Sequence, residues 1–339
     1  MGQGQLRNDM PELPEVETIR LQLDKVLKGL KITGIEVLKK ESFIGPSYAK
    51  ASSGAKAMAD MSAGKELIGL KVLGVKRRAK ITLIELEGGI YLAIHLKMTG
   101  QLIYRGDGKE DQKNKTDQKE GPYEVRELPN KYTRVIISFD PPSSSQTRLR
   151  RASKLYFNDL RIFGWIRVVR PHFVRLSRTS QGKDIRVLEE LGLEKLGPEA
   201  NNEKSFNLEY FKDILGRSKK PVKLLIMDQE KIAGIGNIYA NEALFKAGIL
   251  PTRPASSLTG KEVVNLRNSI TEVLNNAIKH KGSSDKDEAY RQITGEKGSY
   301  QNYLMVYGKK DQKCPNCSGK IKWISLGGRG TFFCENCQK

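Results

Sequence analysis

Apolar positions change their period twice along this 339-residue chain. Val16, Ile19, Leu23, Val26, Leu27 and Leu30 recur at helical spacing, with Pro14 at the first helical position, Glu15 and Glu17 in the first turn and Gly29 as the stop. Short β-type runs follow at residues 34–38, 67–75, 81–86, 90–96, 132–139, 155–157 and 165–169, with Gly88 and Gly89 forming a hairpin turn. From Ile185 the period lengthens again, and helices are expected near 206–215, 222–227, 238–245 and 261–280. Short strands beside one amphipathic helix, then a helical half, predict an α+β protein whose N-terminal antiparallel β-sandwich is flanked by that helix.

The interruptions are polar. Residues 41–64, rich in Ala, Ser and Gly, read as a loop with a short helix, 105–122 as a mobile surface insertion and 141–153 as a solvated loop. The boundary between the halves is expected within 169–183.

Charge narrows the class of partner. Lys plus Arg number 59 against 39 Asp plus Glu, a net +20, which points to a polyanion, nucleic acid first and an anionic membrane surface second. No apolar run approaches the length of a membrane span and the N-terminus lacks a signal-peptide core, so a cytoplasmic, nucleoid-associated protein with no membrane partner is expected.

All four cysteines fall in the last 26 residues. Cys314 and Cys317, then Cys334 and Cys337, form two C-x2-C pairs 16 residues apart, a spacing that lets four thiolates surround one tetrahedral Zn²⁺. A closed four-thiolate site leaves no position for substrate, so the zinc is structural and stiffens the hairpin between the pairs, where residues 327–330 present Arg329 on a tight turn as a phosphate candidate.

Residues 228–237 separate two helical runs, with Gly234 and Gly236 where the backbone turns and Asn237 at the start of the second run. Free N–H groups at such a helix start form an anion site, and Lys219, Lys220 and Lys223 on the preceding run suit a backbone phosphate. Pro11 and Glu12 sit just outside the first helix. A proline nitrogen can attack a sugar carbon and form an iminium only as a free secondary amine, so this chemistry requires that Met1 to Met10 be absent from the working protein.

These residues complete a set. PELPEVET at 11–18, RRAK at 77–80, HLKMTG at 95–100, DLRIFG at 159–164, GIGNIYANE at 234–242, VYGKK at 306–310 and the four-cysteine finger occur in the order found in bacterial formamidopyrimidine-DNA glycosylases, which the chain resembles over 10–339. Leu13 stands where the related endonuclease VIII branch usually has glycine. The resemblance implies that Pro11 is the nucleophile at the sugar C1′, that Glu12 is the acid assisting ring opening and that Glu15 supports them. It further implies Lys80 at a phosphate and in β-elimination, Arg329 in δ-elimination, and Met98, Arg161 and Phe163 filling the gap left by an everted nucleotide. Lys223 and Asn237 of a helix-two-turn-helix would grip phosphates, joined by Lys219, Tyr307 and Lys309, while residues 294–300 would close over the lesion. Tyr132 stands where some members carry a DNA-contacting histidine, and Ile162 replaces a frequent second arginine.

The expected organisation is a leader at 1–9, a catalytic sandwich at 10–170, a linker at 171–183, a helix-two-turn-helix domain with lesion loop at 184–300 and a zinc finger at 301–339. The expected protein is a monomeric bifunctional glycosylase and abasic-site lyase acting on double-stranded DNA with oxidised purines, 8-oxoguanine and formamidopyrimidines, or abasic sites, the DNA lying in a basic cleft between the halves. Two other readings stand beside it: a non-catalytic damaged-DNA-binding protein if residues 1–9 are retained, and an endonuclease VIII-like enzyme for oxidised pyrimidines.

Overall fold

The computed structural model describes residues 11–45, 64–106, 125, 127–140, 152–170, 191, 193–284 and 289–339. The expected leader, nearly all of the polar stretch 105–122, most of 141–153 and most of the expected boundary segment lie outside them. The chain divides into two units, one of residues 16–194 with 284–298 and one of 1–15, 195–283 and 299–339.

The first unit is built on strands. Helix α1 (Leu13–Leu27) leads into β1 (Ile32–Val37), β2 (Phe43–Ile44), β3 (Val72–Arg78), β4 (Ile81–Leu86), β5 (Ile90–His95), β6 (Gly100–Arg105), β7 (Thr133–Phe139), β8 (Ser153–Asp159) and β9 (Trp165–Val169). They form a four-stranded sheet in the order β1-β7-β8-β6 and a five-stranded sheet in the order β2-β9-β5-β4-β3. Val135, Ile137, Leu155 and Phe157 of the first sheet and Ile84, Leu92, Ile94 and Ile166 of the second share one core with Ile19, Leu23 and Leu27 of α1. Burial of apolar side chains from two sheets and one helix face holds this sandwich together.

Two details depart from the expected pattern. The two-residue β2 pairs with β9 in parallel, Phe43 opposite Ile166, whereas the other strand pairs are antiparallel. Strand β6 carries no alternation because its first four residues are all buried, and Gly100 opens it, so its pattern lacks the usual period. A Cβ on Gly100 would lie 2.5 Å from the Leu96 carbonyl oxygen, which explains the glycine. The Gly88-Gly89 turn forms as expected, both residues at positive φ, +77° and +74°.

The second unit is helical. It contains α2 (Leu208–Gly216), α3 (Val222–Ile226), α4 (Asn237–Ala247) and α5 (Gly260–Lys279), then a hairpin of β10 (Lys322–Leu326) and β11 (Arg329–Phe333). Asn207 caps α2, and Thr259 with Glu262 forms a reciprocal capping box on α5. Residues 237–245 of α4 are all buried, so this helix is the axis around which Leu13, Phe211, Leu266, Tyr300 and Phe332 collect. Lys219 and Lys220 precede α3 instead of lying on it; of the three lysines, only Lys223 is helical. The finger hairpin turns on Gly327 and Gly328, at φ +57° and +73°, which places Arg329 as the first residue of β11 opposite Leu326.

Candidate functional site

The N–H groups at the start of α4 are occupied by the protein's own anion. Glu12 Oε2 accepts from the Gly236 N–H at 2.7 Å and Oε1 from the Ile238 N–H at 2.8 Å. Two amide donors at a helix N-terminus suit a carboxylate, so the anion site expected for a phosphate holds Glu12 instead. The glycines of the preceding turn make the room: a Cβ on Gly236 would lie 2.2 Å from Glu12 Cδ, and one on Gly234 would lie 2.4 Å from Leu13 Cδ1. The Leu13 N–H also donates to the Gly234 carbonyl.

Glu15 secures the same segment from the other side. Its Oε2 accepts from the Glu12 N–H at 2.9 Å, while Oε1 accepts from the Tyr239 hydroxyl at 2.5 Å and the Ser283 N–H at 2.7 Å. Burial pushes the Glu15 carboxyl up, against the pull of these donors. Burial, followed by the nearby Glu15 and Glu12 charges, raises the Tyr239 phenol well above its ordinary value, so the phenol keeps its proton and donates it. Pro11 is buried at the head of this arrangement.

In the strand unit, three expected wedge residues share one corner. Arg161 Nη1 lies 3.4 Å from Met98 Sδ, and Phe163 is 56% exposed. Asp159 builds the corner: its carboxylate accepts from the Gly164 N–H at 2.7 Å, the Arg161 N–H at 3.2 Å and the Thr99 hydroxyl. Ile162, between the two candidates, sits at φ +60°, where a β-branched side chain is strained. Lys80 occupies the β3–β4 turn and is 8% exposed. Arg77 braces that turn by donating to the Ala79 carbonyl at 2.8 Å and to Glu17 at 2.7 Å, which ties the PELPEVET helix to the RRAK turn.

The four cysteine sulfurs all lie within 4.8 Å of one another, with Cys314 to Cys337 at 3.8 Å and Cys317 to Cys334 at 3.5 Å. Four sulfurs at about 2.3 Å from a tetrahedral Zn²⁺ would stand about 3.8 Å apart, so the set fits one structural zinc.

Three family models match in chain order. The formamidopyrimidine-DNA glycosylase N-terminal domain matches residues 10–166, the formamidopyrimidine-DNA glycosylase H2TH domain 196–288, and the zinc finger found in FPG and IleRS 311–339. The formamidopyrimidine-DNA glycosylase of Pelotomaculum thermopropionicum is 36% identical over 331 residues, 97% of this chain and 99% of that relative. The chain belongs to the formamidopyrimidine-DNA glycosylase family. Among solved structures, MutM (Fpg) from Thermus thermophilus is similar with a TM-score of 0.71 at 33% identity, over 97% of this chain and 98% of that one. Lactococcus lactis Fpg in complex with DNA containing an abasic site gives 0.72 at 30% identity, over 97% and 99%.

The remaining family positions divide into solvent-facing and internal groups. Lys219 is exposed, Tyr132 and Arg329 are half-buried, and Lys131 lies 5.0 Å above the Tyr132 ring. Lys223 overturns its expectation as a phosphate contact: its side chain is fully buried, and Nζ donates to the Gly330 carbonyl at 2.9 Å and to Thr331 Oγ1 at 2.8 Å. It is a strut from α3 to the finger hairpin. Tyr307 is 8% exposed, its ring edge-on to Phe332 at 5.2 Å, and the Lys309 ammonium donates to the Leu304 carbonyl. Asn237 is the first residue of α4, not its cap, and is 5% exposed.

Four supporting residues escaped the sequence reading: Tyr239, Asp159, Glu242 and His95. Glu242 accepts from the Met305, Val306 and Tyr307 N–H groups at 2.7, 3.0 and 2.8 Å and so fixes the VYGKK segment. His95 Nδ1 accepts from the Lys97 N–H at 3.0 Å, which places the proton of a neutral imidazole on Nε2. All four stand within the family motifs, and a titratable residue at a motif position was the available signal.

Proposed function

We propose that this chain is a bifunctional DNA glycosylase and abasic-site lyase that removes oxidised purines, 8-oxoguanine and formamidopyrimidines, from double-stranded DNA through a Schiff base on Pro11. The observation that carries the reading is the Glu12 carboxylate held by the Gly236 and Ile238 N–H groups one residue after that proline. Membership of the family supports the glycosylase step, and Lactococcus lactis Fpg, at 30% identity, has been solved with N7-benzyl-Fapy-dG DNA.

In this reading the Pro11 nitrogen, a free secondary amine once Met10 and everything before it are gone, attacks C1′ as the C1′–N9 bond to the damaged base breaks. The nitrogen then carries an excess proton. Glu12 accepts it and passes it to the ring oxygen O4′, so the nitrogen lone pair expels O4′ and closes the iminium. The iminium acidifies C2′, and loss of that proton breaks the C3′–O bond. Lys80 binds the phosphate that leaves, and Arg329 serves the second elimination at C5′. Met98, Arg161 and Phe163 fill the space of the everted nucleotide, offsetting a few kcal/mol of lost stacking, roughly. Asn237, Tyr307, Lys309, Tyr132 and Lys219 contribute to the phosphate grip, and residues 294–300 cover the base. Zinc, when bound, supplies rigidity to the finger turn.

The test is borohydride reduction of protein mixed with 8-oxoguanine duplex. Protein beginning at Pro11 is expected to give a covalent adduct mapped to Pro11, and protein retaining residues 1–10 none, because an amide nitrogen cannot form the iminium. Full trapping by the longer protein, with the adduct mapped to Lys80, would overturn the mechanism.

A further inference from the structure

A nucleophile at a chain end has no residue before it to fix its direction. Its aim therefore depends on the peptide plane that follows, here Pro11–Glu12. A hydrogen bond from the Glu12 N–H to Glu15 Oε2, at 2.9 Å, holds that plane. Glu15 holds its angle because its other oxygen is engaged twice, by the Tyr239 hydroxyl at 2.5 Å and the Ser283 N–H at 2.7 Å. A Cβ on Gly282 would lie 2.8 Å from Glu15 Oε1, so the carboxyl fills the space at that side.

Resting on the Pro11 reading above, we infer that Tyr239 is a positioning residue for the nucleophile, acting through Glu15. Tyr239 lies on α4 two residues beyond Asn237, 1% exposed, with its ring tilted against Tyr300 at 5.7 Å. The same helix thus seats Glu12 at its first turn and, through the phenol, sets the orientation of Glu15. Removing the hydroxyl leaves Glu15 Oε1 with one donor in a buried place, free to swing toward the Ser283 N–H and drop the Glu12 N–H. The aromatic packing stays.

The experiment uses full-length protein beginning at Pro11 and compares single-turnover borohydride trapping with affinity for a duplex carrying a reduced abasic analogue. Wild-type protein must trap through Pro11; if it does not, the reading of the nucleophile fails before this inference is reached. Tyr239→Phe is expected to slow trapping at least tenfold with affinity within about twofold of wild type, a displacement effect on a reacting atom. In a Glu15→Gln background the further effect of Tyr239→Phe is expected to shrink to less than about twofold, because both changes break one linkage. Wild-type trapping by Tyr239→Phe, loss of affinity in step with trapping, or full multiplication of the two effects would each overturn it.

Discussion

Glu12 and Gly236 exclude any side chain between them: the carboxylate accepts from the Gly236 N–H at 2.7 Å, and a Cβ on that glycine would fall 2.2 Å from Glu12 Cδ. The glycine has negative φ, −127°, so alanine is conformationally acceptable there and the cost is the collision alone. Gly236→Ala is expected to displace Glu12 and lower trapping by about 100-fold, the order produced by an ångström of misplacement. DNA affinity should hold within about threefold. Gel-shift titration beside single-turnover trapping measures both, and a trapping rate within threefold of wild type would contradict the seat.

The Lys223 ammonium distinguishes a strut from a phosphate contact by salt dependence. A lysine neutralising one phosphate contributes about 0.9 to the slope of log affinity against log salt. Lys223→Met breaks the bonds to Gly330 and Thr331, so affinity is expected to fall while the slope stays unchanged. Lys219→Met should instead flatten the slope. Chelation of the zinc is expected to mimic the Lys223 result, with the strand unit still melting cooperatively by circular dichroism.

Asp159 and Ile162 set the stability of the wedge corner. Asp159→Ala leaves the Gly164 N–H and the buried Thr99 hydroxyl without their carboxylate, while the Arg161 N–H keeps Thr99 Oγ1 at 3.1 Å, which should destabilise the protein by roughly 3 kcal/mol at about 1–3 kcal/mol per orphaned donor. Ile162→Asn, which relieves a β-branched residue at φ +60°, should stabilise by about 1 kcal/mol. Urea denaturation of each variant decides both signs.

His95 gives the stability a pH dependence. Burial first, then the Lys97 and Lys80 charges, hold its imidazole down from 6.5 to about 3. Between those values the unfolded chain binds a proton that the folded chain refuses, so this residue costs stability as pH falls from 6.5, at about 1.4 kcal/mol per pH unit, and the loss stops near pH 3. Above 6.5 both states are neutral and the contribution vanishes. His95→Gln should therefore reduce the fall in stability between pH 7 and pH 5 by roughly 2 kcal/mol, measured by denaturant titration at each pH.

Helix α1 and the finger were legible in the sequence because their information is local: Ile19, Leu23 and Leu27 repeat at helical spacing, and two cysteine pairs need only their own separation. The anion at the start of α4 was misread because its true occupant, Glu12, lies 224 residues away in sequence. Lys223 misled for the same reason. Its apolar neighbours on α3 place it inside, but only the Gly330 carbonyl, 107 residues on, explains a buried ammonium. Phe163 went the other way: its exposed ring was legible only through the family motif, since an isolated phenylalanine reads as core.

Helix α4 fixes a spacing as well as a set of contacts. It seats Glu12 at Gly236 and Ile238, and within the next turn Asn241 Oδ1 accepts from the Phe332 N–H of the finger at 2.8 Å. Each residue along a helix advances about 1.5 Å and rotates about 100°. Adding or deleting a single residue between 238 and 241 would therefore swing Asn241 off the finger while leaving Glu12 seated. Length here is as constrained as residue identity, and a gap in this short interval, in any sequence otherwise like this one, would mark a protein whose finger has come loose from its catalytic end.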